Sequence, residues 1–239
     1  MLGEPTLRPR RSVLAAGISL IAISVGSGIG LTLARPVKAT QLAQAGQAAQ
    51  AARARNVLVL GDSLSAEYGI ARGSGWVSLL ERRLADKGGR YVVANASISG
   101  ETTAGGRSRI EELLARHRPA VVIVELGGND ALRGLDLVAT ERNLREIARL
   151  SRRAGARVLI LGMMVPPNYG RRYGEQFSGI FARVAADEKA ALVPFFLEGV
   201  AERIELFQPD RIHPTAQAQP MMLDNVWPAL ERLLRATTR

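Results

Sequence analysis

The chain has 239 residues, 47% of them apolar, no cysteine and a net charge of +10. That length fits one domain with an N-terminal appendage, and the absence of cysteine excludes disulfides and thiolate metal sites. Residues 1–55 account for +6 of the charge, from seven basic side chains against Glu4, which leaves +4 for the rest. No basic stripe interleaved with aromatics is present, so no nucleic-acid partner is expected.

The first element is an address. Arg8, Arg10 and Arg11 precede an uncharged run of small and aliphatic residues, 12–34. A positive flank before an apolar run is the layout of an export signal. At 23 residues the run exceeds the usual ~7–15 of a signal core and reaches the ~20 needed to span a bilayer. Residues 1–39 are therefore expected to direct the protein to the periplasm, with cleavage after Ala39 or Ala34. The paired arginines resemble a twin-arginine signal. The alternative is an uncleaved anchor that contacts the membrane and holds the protein outside the cytoplasm. Residues 40–55, rich in Ala and Gln with no apolar period, read as a linker, and 56–239 as the folded domain.

Within that domain, five apolar β-branched runs predict strands at 56–60, 91–94, 120–126, 157–163 and 191–195. Between them apolar residues recur at helical steps, as in Trp76/Leu79/Leu80/Leu84 and Phe177/Ile180/Phe181/Val184, and a last helix is expected over 218–235. Continuous apolar strands alternating with helices predict a three-layer α/β/α domain around a five-stranded parallel sheet. In such sheets ligands bind outside the carboxyl ends of the strands. The polar, glycine-rich segments do follow strands: Gly61-Asp62-Ser63, Asn95 to Thr102, Gly127-Gly128-Asn129-Asp130 and Pro166 to Gly170, with Asp210-Arg211-Ile212-His213-Pro214 after the fifth.

These loops hold what acyl transfer by a serine requires: a base, an acid to orient it, and donors for the oxyanion. Ser63 is the candidate nucleophile, with Ser65 as its rival. His213 is the candidate base. The other histidine, His117, sits at the tail of a helix pattern, where the negative helix end suits it without further role. Asp210, three residues before His213, can reach back to the imidazole. The Asn129 side-chain amide and the unshielded N–H of Gly100 are candidate oxyanion donors.

Gly61-Asp62-Ser63-Leu64-Ser65, Gly100, Gly127-Gly128-Asn129-Asp130 and Asp210-x-x-His213-Pro214 resemble the four blocks of the GDSL/SGNH hydrolase family. The longer stretches around Asn95 to Gly100, Val124 to Asp130, Asn168 to Tyr173 and Pro194-Phe195-Phe196 are similar to its bacterial periplasmic thioesterase and lysophospholipase branch. The resemblance implies a flavodoxin-like sandwich, hydrolysis of carboxylic esters and thioesters with no metal or cofactor, and the Ser63 N–H as a third oxyanion donor. Two positions depart from it. Glu67 and Arg211 stand where relatives often have glycine, which adds charge near the mouth and bears on substrate preference.

Leu64, Ile98, Leu132, Val165, Pro166 and Tyr169 are expected to form an acyl groove, and Arg171 and Arg172 either meet a phosphate head group or face solvent. The expected partner is a single-chain acyl ester or thioester substrate, such as a lysophospholipid, and the protein itself is expected to be a monomer. A carbohydrate O-acetyl esterase and an exported, non-catalytic binding domain are the alternatives.

Overall fold

A computed structural model describes residues 55–236, so the expected signal and nearly all of the linker lie outside the described residues. Among the described residues no helix is long and apolar enough to cross a membrane. Strand β1 (Arg55–Gly61) leads through helix α1 (Trp76–Asp86) to β2 (Tyr91–Asn95) and α2 (Thr103–His117). Then come β3 (Val121–Glu125), a short α3 (Gly128–Leu132), α4 (Leu137–Arg153), β4 (Arg157–Leu161), α5 (Arg171–Asp187), β5 (Ala191–Val193) and α6 (Gln219–Ala236). All five strands are parallel, in the order β2-β1-β3-β4-β5. Helices α1 and α6 pack together against one face; α2, α4 and α5 pack in a row on the other.

The apolar runs form strands because each places Val, Ile or Leu on both sheet faces, and both faces are covered by helices. That holds fully for the centre: β1, β3 and β4 are buried over nearly their whole length. It does not hold for β2, where Val92 is 46% exposed, or for most of β5, since among the described residues each edge strand has a neighbour on one side only.

Strand order reverses between β1 and β3, and this topological switch opens a crevice at their carboxyl ends. Register places Gly61 opposite Glu125 there, so the segments after both strands emerge side by side. At the other pole, Arg55, Asn56, Arg118, Arg157 and Ala236 line one open recess, which sets the start of β1 beside the end of α6. The Arg157 guanidinium donates to the Ala236 carbonyl across it (2.9 Å).

Candidate active site

Ser63 lies one residue beyond Asp62 in the turn that ends β1. Its Oγ is 2.9 Å from His213 Nε2, and His213 Nδ1 is 2.6 Å from Asp210 Oδ2. Residues 150 apart in sequence thus meet in one line of hydrogen bonds. The long segment between β5 and α6 makes this possible. Phe207 and Pro214 form an antiparallel bridge, the Gln208 N–H donates to the His213 carbonyl (2.8 Å), and the chain between them is thrown out as a loop. Inside the loop Asp210 Oδ1 accepts the backbone N–H of Ile212 (2.9 Å) and of His213 (3.0 Å). Burial pushes the Asp210 carboxyl up, but those amides and the imidazole outweigh it and hold it at about 2. It is therefore ionised wherever the imidazole can act as a base.

Tyr68, absent from the sequence reading, lies against the His213 ring with centroids 4.4 Å apart. Gln208 Nε2 ties the Tyr68 carbonyl (2.9 Å) to the same loop. An aromatic residue five positions past the nucleophile was the available signal.

Neither rival occupies this place. Ser65 is buried, donating to Glu125 Oε2 (2.7 Å) and accepting from Trp76 Nε1 (3.2 Å). His117 ends α2, where its carbonyl accepts from Asn56 at the start of β1, the opposite pole from Ser63.

The Gly127-Gly128-Asn129-Asp130 segment is not the loop expected from its composition. Gly127 has φ +115°, and a Cβ there would lie 3.3 Å from the Phe181 ring, so only glycine allows the chain to turn. From Gly128 it runs as α3. Asp130 then fixes this short helix to the start of α2, accepting the Thr103 N–H (2.9 Å) and hydroxyl. Asn129 is thereby brought beside Asp62. Its Nδ2 donates to Asp62 Oδ2 (3.0 Å) and to the Glu101 carbonyl (3.0 Å). Gly100 has φ +78°, and the backbone N–H groups of Ser63 and Gly100 donate to no other described residue. Arg133 Nη2 reaches both the Gly100 carbonyl (3.0 Å) and Asn129 Oδ1 (3.4 Å).

The groove residues fall into two groups. Leu64 follows Ser63, and Ile98, half exposed, is held beside β1 by its N–H on the Gly61 carbonyl (3.0 Å). Leu132 ends α3, and its carbonyl accepts the Tyr169 hydroxyl (3.1 Å), which draws the segment holding Val165 and Pro166 toward that helix. Tyr169 stacks on Tyr173, with centroids 6.1 Å apart.

Glu67 and Arg211 have φ +59° and +57°, which explains why glycine suits both positions. Glu67 lines the recess beside Ser63 and His213, but its charge is engaged by the chain leading into α1. Its carboxylate accepts from the Gly73 and Gly75 N–H groups and the Ser78 hydroxyl, and so ties the turn before α1 to its first turn. Arg211 stays exposed beside His213. Arg171 pairs with Glu175 on its own helix (3.5 Å), with both side chains largely in solvent.

Residues 59–219 match the sequence profile of the GDSL-like Lipase/Acylhydrolase family. The chain is 54% identical to Esterase TesA of Pseudomonas aeruginosa over 183 residues, covering 77% of this chain and 91% of that protein. It is 43% identical over 173 residues to Thioesterase 1/protease 1/lysophospholipase L1 of Escherichia coli K12, covering 72% of this chain and 82% of the relative. A crystal structure of TesA superposes with a TM-score of 0.74, covering 75% of this chain and 99% of that one.

Proposed function

The chain belongs to the GDSL-like Lipase/Acylhydrolase family and is a serine hydrolase of the esterase and thioesterase class; from that premise we propose that it cleaves single-chain acyl esters and thioesters with Ser63 as nucleophile. The observation that carries the residue assignment is the unbroken line Ser63 Oγ, His213 Nε2, His213 Nδ1, Asp210 Oδ2. In the acylation step His213 takes the Ser63 proton as Oγ attacks the substrate carbonyl carbon. The tetrahedral oxyanion is met by the unengaged N–H groups of Ser63 and Gly100 and by the Asn129 amide. Collapse expels the alcohol or thiol, which receives the proton from His213, and leaves an acyl ester on Ser63. Water, activated by the same imidazole, then releases the acid and restores the serine.

The relatives' names include lysophospholipase and arylesterase, and Leu64 and Ile98 beside the serine suit a single alkyl chain. A fluorophosphonate probe is expected to label wild type and not Ser63→Ala; undiminished labelling would remove Ser63 as nucleophile. On nitrophenyl esters of increasing chain length, activity is expected to extend beyond acetyl, and a sharp optimum at acetyl would overturn the long-acyl substrate.

The same proposal places the enzyme outside the cytoplasm through residues 1–39, on the strength of the arginines and the uncharged run that follows. An intact mass that retains 12–34 would favour an anchor over a cleaved signal.

A further inference from the structure

Below Ser63 lies a pair of carboxyl groups that the acyl-transfer steps leave unused. Asp62 is 3% exposed and Glu125 is 0% exposed. They meet because Gly61 and Glu125 are register partners, and a Cβ on Gly61 would stand 2.8 Å from Glu125 Oε2. Oε2 accepts the Asp62 N–H (3.2 Å) and the Ser65 hydroxyl (2.7 Å). The Ser65 oxygen is itself held by Trp76 Nε1, so its proton is committed to Glu125. Oε1 is buried and receives no donor. Among the described residues neither carboxyl forms an ion pair. The titratable group facing Asp62 from the last loop is His213, while β3 contributes Glu125 and α3 the non-titrating Asn129.

We propose that Glu125 is a neutral acid that shares its proton with Asp62, and that it acts as a positioning residue aiming the Asn129 amide at the oxyanion of the reaction assigned above. Two adjacent buried carboxylates without a cation cannot both ionise at neutral pH. Burial raises both groups, Glu125 well above its ordinary value and Asp62 to about 6. Both Asp62 oxygens already accept donors, Oδ1 from Leu64 N–H and Oδ2 from Asn129 Nδ2, whereas the wholly buried Glu125 has one oxygen that accepts nothing, which makes Glu125 the partner that keeps the proton. Asp62 then gathers three donors: Glu125, the Leu64 N–H (3.0 Å) and Asn129 Nδ2. As the ionised partner it grips one hydrogen of the Asn129 amide. The other hydrogen rests on the neutral Glu101 carbonyl, a weaker acceptor than an oxyanion, and is the one free to transfer to the substrate oxygen. Arg133 steadies the opposite edge of the same amide.

The test compares wild type, Glu125→Gln and Glu125→Met in steady-state ester hydrolysis across pH. Glutamine offers an N–H to Asp62 and an oxygen to Ser65 without titrating; methionine fills the space and donates nothing. The expected result is kcat near wild type for Gln, and a loss of about 10²-fold in kcat with KM little changed for Met. The acid limb of kcat moves to higher pH in Met alone, because Asp62 has lost the donor that holds it down. Equal kcat and coincident pH profiles in all three proteins would overturn the proposal. Should the Met protein not fold, infrared spectra at mildly alkaline pH read the proton directly. A neutral carboxylic-acid carbonyl band is expected in wild type and not in Gln, and its absence from wild type would overturn the proposal as surely. Failure of the nucleophile assignment looks different: phosphonate labelling survives Ser63→Ala while the infrared band stays.

Discussion

Asp210 and Asp62 sit on either side of the same serine, and the protein drives them in opposite directions. Asp210 rides on an exposed loop, collects two backbone amides and an imidazole, and is held at about 2. Asp62 also collects donors, yet it is sealed beneath the turn against a second carboxyl, and burial carries it to about 6. The contrast shows that solvent access and the company of other acids, more than the number of hydrogen bonds, decide where a carboxyl titrates. It also separates two tasks. Asp210, on the imidazole, is ionised at any pH well above 2, whereas Asp62, beneath the Asn129 amide, becomes ionised only above about 6 and holds that amide in place.

The largest test of this contrast removes the exposed half. His213→Ala is expected to cost on the order of 10⁶ in kcat, and Asp210→Asn about 10⁴ through loss of the correct tautomer, both read by nitrophenyl ester hydrolysis. Asn129→Ala, which cuts the link from the buried half to the oxyanion, should cost about 10²–10³ in kcat with little change in KM.

A smaller effect appears in stability. The carboxyl of Asp210 is lowered from 3.8, so its contribution is complete above that pH and is lost as pH falls toward 2. Asp62 has the reverse sign: its folded value is raised, so ionisation weakens the fold as pH rises from about 4 to about 6. Relative to wild type, Asp62→Asn is therefore expected to gain stability between pH 4 and pH values above 6, by roughly 1–3 kcal/mol, read as the change in its melting-temperature difference. Equal shifts at both pH values would count against a charged Asp62. The smallest effect is expected of Glu67→Gly, which relieves a positive φ but removes the tie between the preceding turn and α1. A net destabilisation of about 1 kcal/mol with an unchanged acyl-chain profile would place Glu67 in the scaffold.

Much of this site was legible in the sequence because its parts are short and local. Gly61-Asp62-Ser63 must follow a strand, and Asp210 can reach His213 within one loop. The five strands were also legible, since unbroken β-branched runs leave no polar face for a helix to present to water. What escaped depended on distant partners. Five residues beginning at Gly128 are too few for helical periodicity to register, and their glycines imitate a turn. Glu67 could not be recognised as a tie across the turn without the Gly73 and Gly75 amides beside it. Glu125 carried a signal that only the fold makes meaningful, a carboxylate closing an otherwise wholly apolar, fully buried strand.

The recess shared by Arg55, Arg157 and Ala236 puts both ends of the folded unit on the face turned away from Ser63. A linker joined at Arg55 or Ala236 would therefore leave the domain on the side opposite its mouth. Substrate would then arrive from the free hemisphere whichever end is held.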